Sequence, residues 1–257
     1  MQEESNFKKG TVVLSFDDGN ADDFRLYETI LSKHKISATF NIESGAIGQP
    51  GRLTREQLSI LHSDPLMEIA GHGYSHKNDD ADIRKDIETL SGWLDIPDGK
   101  IGFASPNSGM KNKFIADNEA HLRAMGLIYV RTNDNPYPSK RHLEIQNELT
   151  EQKAREYVIR NVPQLTYCFN GLCINSAVVL HTTEVNDLTG LADLAAKEKA
   201  CVVFLFHRVK MPGENQYDDE YSYDYHQFAE FAEHLVRQRQ RGAIDILTTK
   251  QAFLMGK

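Results

Sequence analysis

Cysteine is scarce in this chain of 257 residues, with only Cys168, Cys173 and Cys201. Three are too few for a disulfide scaffold, so the fold has to be held by its core. A chain of this length buries enough surface to do that without a structural metal. Long hydrophobic runs are missing too, and nothing approaches the ~18 apolar residues of a membrane span. Positive charge is in deficit, with 29 Lys and Arg against 37 Asp and Glu and a net charge of −8. Nonspecific nucleic-acid binding needs a basic face, so that partner class is set aside. The opening MQEESNFKKG has no basic-then-apolar secretory segment. The compartment stays open between cytosolic and, after loss of a leader, extracytoplasmic. Oligomeric state is equally open. There is no internal repeat and no Ser/Gly linker.

What is present is an alternation of short apolar runs and amphipathic stretches. Candidate strands are Thr11–Phe16, Ser37–Ile42, Met67–Ala70, Ile101–Ala104, Leu127–Arg131, Ala177–His181, Cys201–Phe206 and Ala243–Leu247. Runs such as TVVLSF and CVVFLF lack polar alternation, as strands buried on both faces do in parallel sheets. Candidate helices are Asp22–Lys33, Thr54–His62, Asp80–Leu94, Lys113–Met125, Asp187–Glu198 and Tyr225–Arg241. Thr54 with Gln57 makes a capping-box pattern, and Ile83, Ile87, Leu90 and Leu94 form one apolar stripe. Repeated strand-then-helix units imply an α/β fold with a parallel sheet. Seven or eight units in this length point to a (β/α) barrel, with a doubly wound open sheet as the alternative. A single domain over 1–257 is expected, with an insertion at about 132–176. The insertion would hold a helix near Gln152–Arg160 and a hairpin at Asn170-Gly171. That turn would set Cys168 opposite Cys173, as a bridged pair or as two half-buried thiols.

In such a barrel the reactive groups sit just past the carboxyl ends of the strands. Strand Thr11–Phe16 ends in Asp17, Asp18 and Gly19, and adjacent carboxylates held close need a cation or a proton. The bland reading is an acidic helix cap. Strand Met67–Ala70 runs into GHGYSH, whose His72 and His76 are spaced to share one metal, although surface histidines also occur at that spacing. With an Asp they would make a three-ligand set with an open position, the mark of catalytic rather than structural zinc. His207 follows Cys201–Phe206 as a general acid or a core histidine. Phe103–Gly109 (FASPNSG) and Arg131 close two further strands.

Taken together, SFDDG, then HGYSH, then a Pro-Gly motif, then a strand-end His resembles the polysaccharide deacetylases (NodB-homology domain, carbohydrate esterase family 4). The motif is most similar to the poly-N-acetylglucosamine deacetylase-like branch. Ala38-Thr39-Phe40 resembles the family's second strand. The resemblance implies a distorted (β/α)7–8 barrel of NodB-homology type that removes acetyl groups from N-acetylated amino sugars of a glycan. It implies Asp17 as catalytic base and His207 as general acid. Asp18, His72 and His76 are implied as ligands of a divalent metal, Zn2+ first, with Co2+ or Mn2+ as alternatives. Pro106, Asn107 and Tyr74 are implied as substrate contacts. The family commonly carries Arg where this chain has Ala104, and Arg131 is expected to take over that guanidinium's role. The alternatives are the same fold acting on a small amide or O-acetyl ester, and a non-catalytic carbohydrate-binding relative. The acidic, Tyr-rich stretch Glu214–His226 is expected to be a surface loop, or else to stack on sugar rings through Tyr217, Tyr221, Tyr223 and Tyr225.

Overall fold

Parallel pairing dominates the architecture. The computed structural model describes residues 5–96, 101–132, 168–170, 172–174, 188–214 and 222–256. In chain order these form β1 (Gly10–Phe16), α1 (Ala21–Leu26), β2 (Ala38–Ile42), α2 (Arg55–Ser63), β3 (Met67–Gly71), α3 (Asp80–Leu94) and β4 (Ile101–Ala104). There follow α4 (Asn112–Asp117), α5 (Glu119–Ala124), β5 (Leu127–Thr132), β6 (Cys168–Asn170), β7 (Leu172–Ile174), α6 (Leu188–Glu198) and β8 (Cys201–Phe206). The chain ends with β9 (Arg208–Lys210), β10 (Ser222–Asp224), α7 (Tyr225–Gln240), β11 (Ile244–Leu247) and α8 (Thr249–Met255).

The main sheet runs β6-β5-β4-β3-β2-β1-β8-β7, and β11 joins β1. One edge of β1 pairs with β8 over Thr11–Phe16. The other edge pairs with β11 over Gly10–Val13 and with β2 at Ser15 and Phe16. The first and last strands of the path, β6 and β7, are separated in sequence only by Gly171, so the sheet curls round until its two ends are close. With helices between its strands, this is the distorted, curled (β/α) barrel expected from the alternation. Strands β1, β2 and β8 are buried along their whole length, which is why their sequences carry no polar alternation.

Several elements differ from expectation. The stretch taken for a hairpin at Asn170-Gly171 is not one. Segment β6 runs parallel to β5 and β7 parallel to β8, so both run the same way and fill opposite ends of the sheet path. Helix Asp22–Lys33 opens into a π-helical turn over Tyr27–Leu31. Lys113–Met125 breaks into α4 and α5 at Asn118, whose φ of −113° is not helical. Within Glu214–His226, Ser222–Asp224 is a strand paired with β9, and the Tyr223 ring packs 5.7 Å from Phe206. Ala177–His181, the helix near Gln152–Arg160, Tyr217, Tyr221 and most of the insertion lie outside the described residues. Among the described residues, no helix is long and apolar enough to cross a membrane.

Two packing layers position the strand ends. Near the carboxyl ends, Phe16 stacks on Phe40 at 5.4 Å and on Phe206 at 5.3 Å, and Phe228 closes the cluster. Phe16 pairs in register with both partners, so this aromatic layer lies one residue below Asp17, Asn41 and His207. Towards the other end, Glu68 ties three strands to α8. It accepts from Thr39 Oγ1 (3.0 Å), Tyr129 Oη (2.9 Å) and the Lys250 amide (2.9 Å). Tyr129 is fully buried, and its ring occupies the space that a Cβ on Gly102 would need. Gly102→Ala should therefore destabilise the fold by ~1–3 kcal/mol through overpacking. In a urea-denaturation double-mutant cycle, that loss should shrink when Tyr129 is replaced by Leu. A Gly102→Ala variant as stable as the parent would contradict this packing.

Candidate active site

Five strand ends converge. β1 delivers Asp17 and Asp18, β3 the loop His72–His76, β4 the turn Ser105–Ser108, β5 Arg131, and β8 His207. Asp17 is 3% exposed and Arg131 1%. Nη2 of Arg131 donates to both carboxylate oxygens of Asp17, at 2.5 and 2.6 Å. Asn41, one residue before the end of β2, donates through Nδ2 to Asp17 Oδ1 at 2.8 Å and to Ser15 Oγ at 2.8 Å. The backbone is pinned as well. The Asp17 amide donates to Phe206 O, and Asn20 Nδ2 donates to the carbonyls of Asp17 and His207. A buried carboxylate without a partner would take up a proton. Here a buried guanidinium and an amide satisfy it and orient its oxygens.

Asp18 turns the other way. Its backbone is left-handed (φ 78°), and so is that of His76 (φ 60°). For residues other than glycine this is a strained conformation that collects at functional sites. It brings Asp18 Oδ1 to 3.4 Å from His72 Nε2 and 3.6 Å from His76 Nε2. The three ligand atoms lie within 4.8 Å of one another, the one such cluster of metal-ligating groups among the described residues. Nδ1 of His72 sits 2.9 Å from the Ala104 carbonyl. A carbonyl only accepts, so Nδ1 carries the proton and Nε2 is left to face the cluster, the arrangement a metal-binding histidine needs. Arg52 donates to Asp18 O and to Asn20 Oδ1, fixing the strained turn from outside.

The charges follow from this crowding. Burial would raise the Asp18 carboxyl, but the His72 hydrogen bond and charge, with His207 and Arg52, hold it well below the usual range. Burial would lower His72, yet Asp17 and Asp18 together raise it. His76 is lowered by burial and by the His72 charge. Two imidazoles and a carboxylate around one point form a mixed N/O set with room for further ligands. That set fits a divalent ion such as zinc.

The His72 loop is held from below by Asp86. It accepts from the amides of His72 and Gly73 (both 3.0 Å), the Ser44 amide (3.2 Å) and Ser44 Oγ (2.5 Å). Burial pushes its carboxyl up to about 7, against the pull of the Ser44 and Gly73 donors. Asp82 likewise accepts from Ser75 and Lys77. His207 faces the same charges. Burial lowers it, while Asp17 and Asp18 pull it back up.

The implied substrate contacts separate. Asn107, at φ 51°, places Nδ2 3.4 Å from His76 Nδ1. Pro106 is buried, and its carbonyl accepts from Asn78 Nδ2. The Tyr74 ring does not join the cluster but lies under Lys85 Nζ, 3.5 Å away. Asn41, Asn20, Arg52 and Asp86 were not anticipated. Asn41 had a signal, a lone amide inside the apolar strand ATFNI. So did Asp86, an acid within the apolar stripe of α3.

With this geometry in place, comparison with known proteins gives three findings. Residues 4–117 match the family model "Polysaccharide deacetylase". The matched stretch holds Asp17, Asp18, His72 and His76 and ends before Arg131 and His207. Solved structures share the fold. One is a Mycobacterium smegmatis protein assigned to the polysaccharide deacetylases, at 15% identity and TM-score 0.51, covering 96% of this chain and 90% of that one. Another is a deacetylase solved with substrate, at 12% identity and TM-score 0.50, covering 97% and 93%. Against a polysaccharide deacetylase from Bacillus cereus (15% identity, TM-score 0.39), the alignment takes in 46% of this chain and spans only 39% of that protein. The search of curated proteins finds no match.

Removing the guanidinium would strand the buried Asp17. Arg131→Met is expected to lower stability by ~3–5 kcal/mol, read by chemical denaturation. The double variant Asp17→Asn with Arg131→Met should recover much of the loss. Full stability in Arg131→Met alone would contradict the pairing.

Proposed function

We propose that this chain, which resembles the polysaccharide deacetylases and matches their family model over residues 4–117, hydrolyses the acetamide of N-acetylated amino sugars in a glycan. The observation that carries this reading is the division of labour between adjacent carboxylates. Asp17 is clamped by Arg131 and Asn41, whereas Asp18 is turned towards His72 and His76.

Asp18, His72 and His76 would hold the ion, zinc first by donor type, with cobalt or manganese as alternatives. When bound, a divalent ion at these ligands supplies Lewis acidity, polarising the acetyl carbonyl and making a water more acidic. Asp17 accepts the proton of the attacking water. Arg131 and Asn41 keep that carboxylate aimed until the proton arrives. The water oxygen bonds to the acetyl carbon, and the carbon–nitrogen bond breaks. His207, on the neighbouring strand end, gives a proton to the departing nitrogen, which otherwise leaves poorly. Acetate and a free amino sugar result. His207 acts only while protonated, and burial lowers its affinity for the proton, so turnover should decline towards alkaline pH.

Two variants separate the roles. Asp17→Asn should retain bound metal and lose acetate release from N-acetylglucosamine oligomers by ~100-fold or more, the usual size of a general-base contribution. His76→Ala should lose both. Equal metal loss in the two variants would refute the division of labour. Bound metal without acetate release from any N-acetylated sugar would refute the substrate class.

A further inference from the structure

Asp17 stands beside a ligand cluster that it does not join. Its Oδ2 is 3.9 Å from His72 Nε2, whereas Asp18 Oδ1 is 3.4 Å from the same nitrogen and 3.6 Å from His76 Nε2. Atoms that share a tetrahedral zinc through bonds of about 2.0–2.1 Å sit about 3.3 Å apart. Asp17 is nonetheless outside the set whose ligand atoms lie within 4.8 Å of one another, which holds Asp18, His72 and His76. A turn of its carboxyl towards His72 would supply a fourth ligand and close the position that a catalytic site keeps open.

Arg131 alone does not prevent that turn. Nη2 donates to both Oδ1 and Oδ2. Both contacts come from one nitrogen rather than from the two parallel N–H groups of a fork-to-fork pair, and the buried Nε has no partner among the described residues. One nitrogen astride two oxygens is a pivot, about which the carboxyl can rotate without losing the ion pair. Asn41 is the second point of attachment. Its Nδ2 holds Asp17 Oδ1 at 2.8 Å and is itself anchored on β1, at Ser15 Oγ (2.8 Å) and Phe16 O (3.1 Å). A carbonyl only accepts, so Phe16 O fixes which end of the amide is nitrogen.

The amide is costly where it stands. β2 is buried at every position. Asn41 is 1% exposed, and its Oδ1 has no partner among the described residues. An unsatisfied buried acceptor costs about 1–3 kcal/mol, which a leucine of similar size would avoid. Packing does not call for asparagine here, whereas holding Asp17 Oδ1 does.

We propose that Asn41 withholds Asp17 from the metal. By fixing Oδ1 it stops the carboxyl turning about Arg131 Nη2, so the ion keeps three protein ligands and Asp17 remains the base. Asn41 is then a positioning residue, and the inference rests on the metal-dependent deacetylase reading of this site.

Zinc affinity tests this without any turnover. The intact chain and its Asn41→Leu variant would be titrated with zinc in competition with a chromophoric chelator. Asn41→Leu should bind zinc at least about tenfold tighter, through the added ligand. Its acetate release from N-acetylglucosamine oligomers should fall at least about tenfold, because the base is lost to the metal. The double variant Asn41→Leu with Asp17→Asn should return to the parental affinity. A merely structural asparagine would give the opposite sign, since a loosened site binds metal more weakly. Should Asn41→Leu not fold, Asn41→Ala, which only removes atoms, is read in the same way. Zinc affinity equal to or below the parent's would overturn the proposal, and so would tightening that survives in the double variant. Tightening in Asn41→Leu with no acetate release by the parent upholds the role of Asn41 and overturns the deacetylase reading. A parent protein that binds no zinc overturns both.

Discussion

The buried ion pair between Asp17 and Arg131 is the contact on which the rest of the site depends. Neither group could be buried alone as an ion, because desolvation of a single charge costs several kcal/mol. Their mutual contact gives each a partner under the barrel mouth, where Asp17 is 3% exposed. The ion pair also joins distant parts of the sheet, since β1 and β5 are separated by β2, β3 and β4. Asp17 and Arg131 meet only because the sheet is curled. Asn41 then has a single place to go, between Asp17 and Ser15, and Asp18 is forced to point away.

The two ends of the barrel use polar groups differently. At the carboxyl ends the polar side chains are strained, crowded and charged, with left-handed backbones at Asp18 and His76. At the other end Glu68, Thr39, Tyr129 and the start of α8 form a hydrogen-bonded plug that joins strands to a helix. Such a division between a reactive face and a stabilising face is general for β/α barrels. The aromatic layer of Phe16, Phe40, Phe206 and Phe228 lies next to the clustered polar side chains of the candidate site. Three of these rings immediately precede Asp17, Asn41 and His207, so packing errors there would be transmitted directly to those side chains.

The strands were legible because burial on both faces leaves unbroken apolar runs, and seven of the eight expected strands lie within two residues of observed ones, the eighth falling outside the described residues. The clustering of His72 and His76 with Asp18 was legible because the two histidines follow a strand end four residues apart. What the sequence hides is lateral proximity. Nothing in VRTND says that Arg131 reaches β1, and the resemblance to a family was needed to expect it. The Asn170-Gly171 pair carries a turn signal that local chemistry alone would honour. Sheet pairing overrides it, because β6 and β7 each gain a parallel partner. Asp86 illustrates a third kind of blindness. A carboxylate on the buried face of α3 breaks the apolar pattern, and its purpose emerges only from four donors contributed by the Ser44 turn and the His72 loop.

The central claim is that adjacent carboxylates at one strand end have different jobs, fixed by Arg131. Anomalous diffraction at the zinc edge, from crystals of the full chain soaked in zinc, addresses it most directly. The account predicts one peak within ligand distance of Asp18, His72 and His76, with Asp17 still paired to Arg131. A peak ligated by Asp17, with Arg131 displaced from it, would contradict the account.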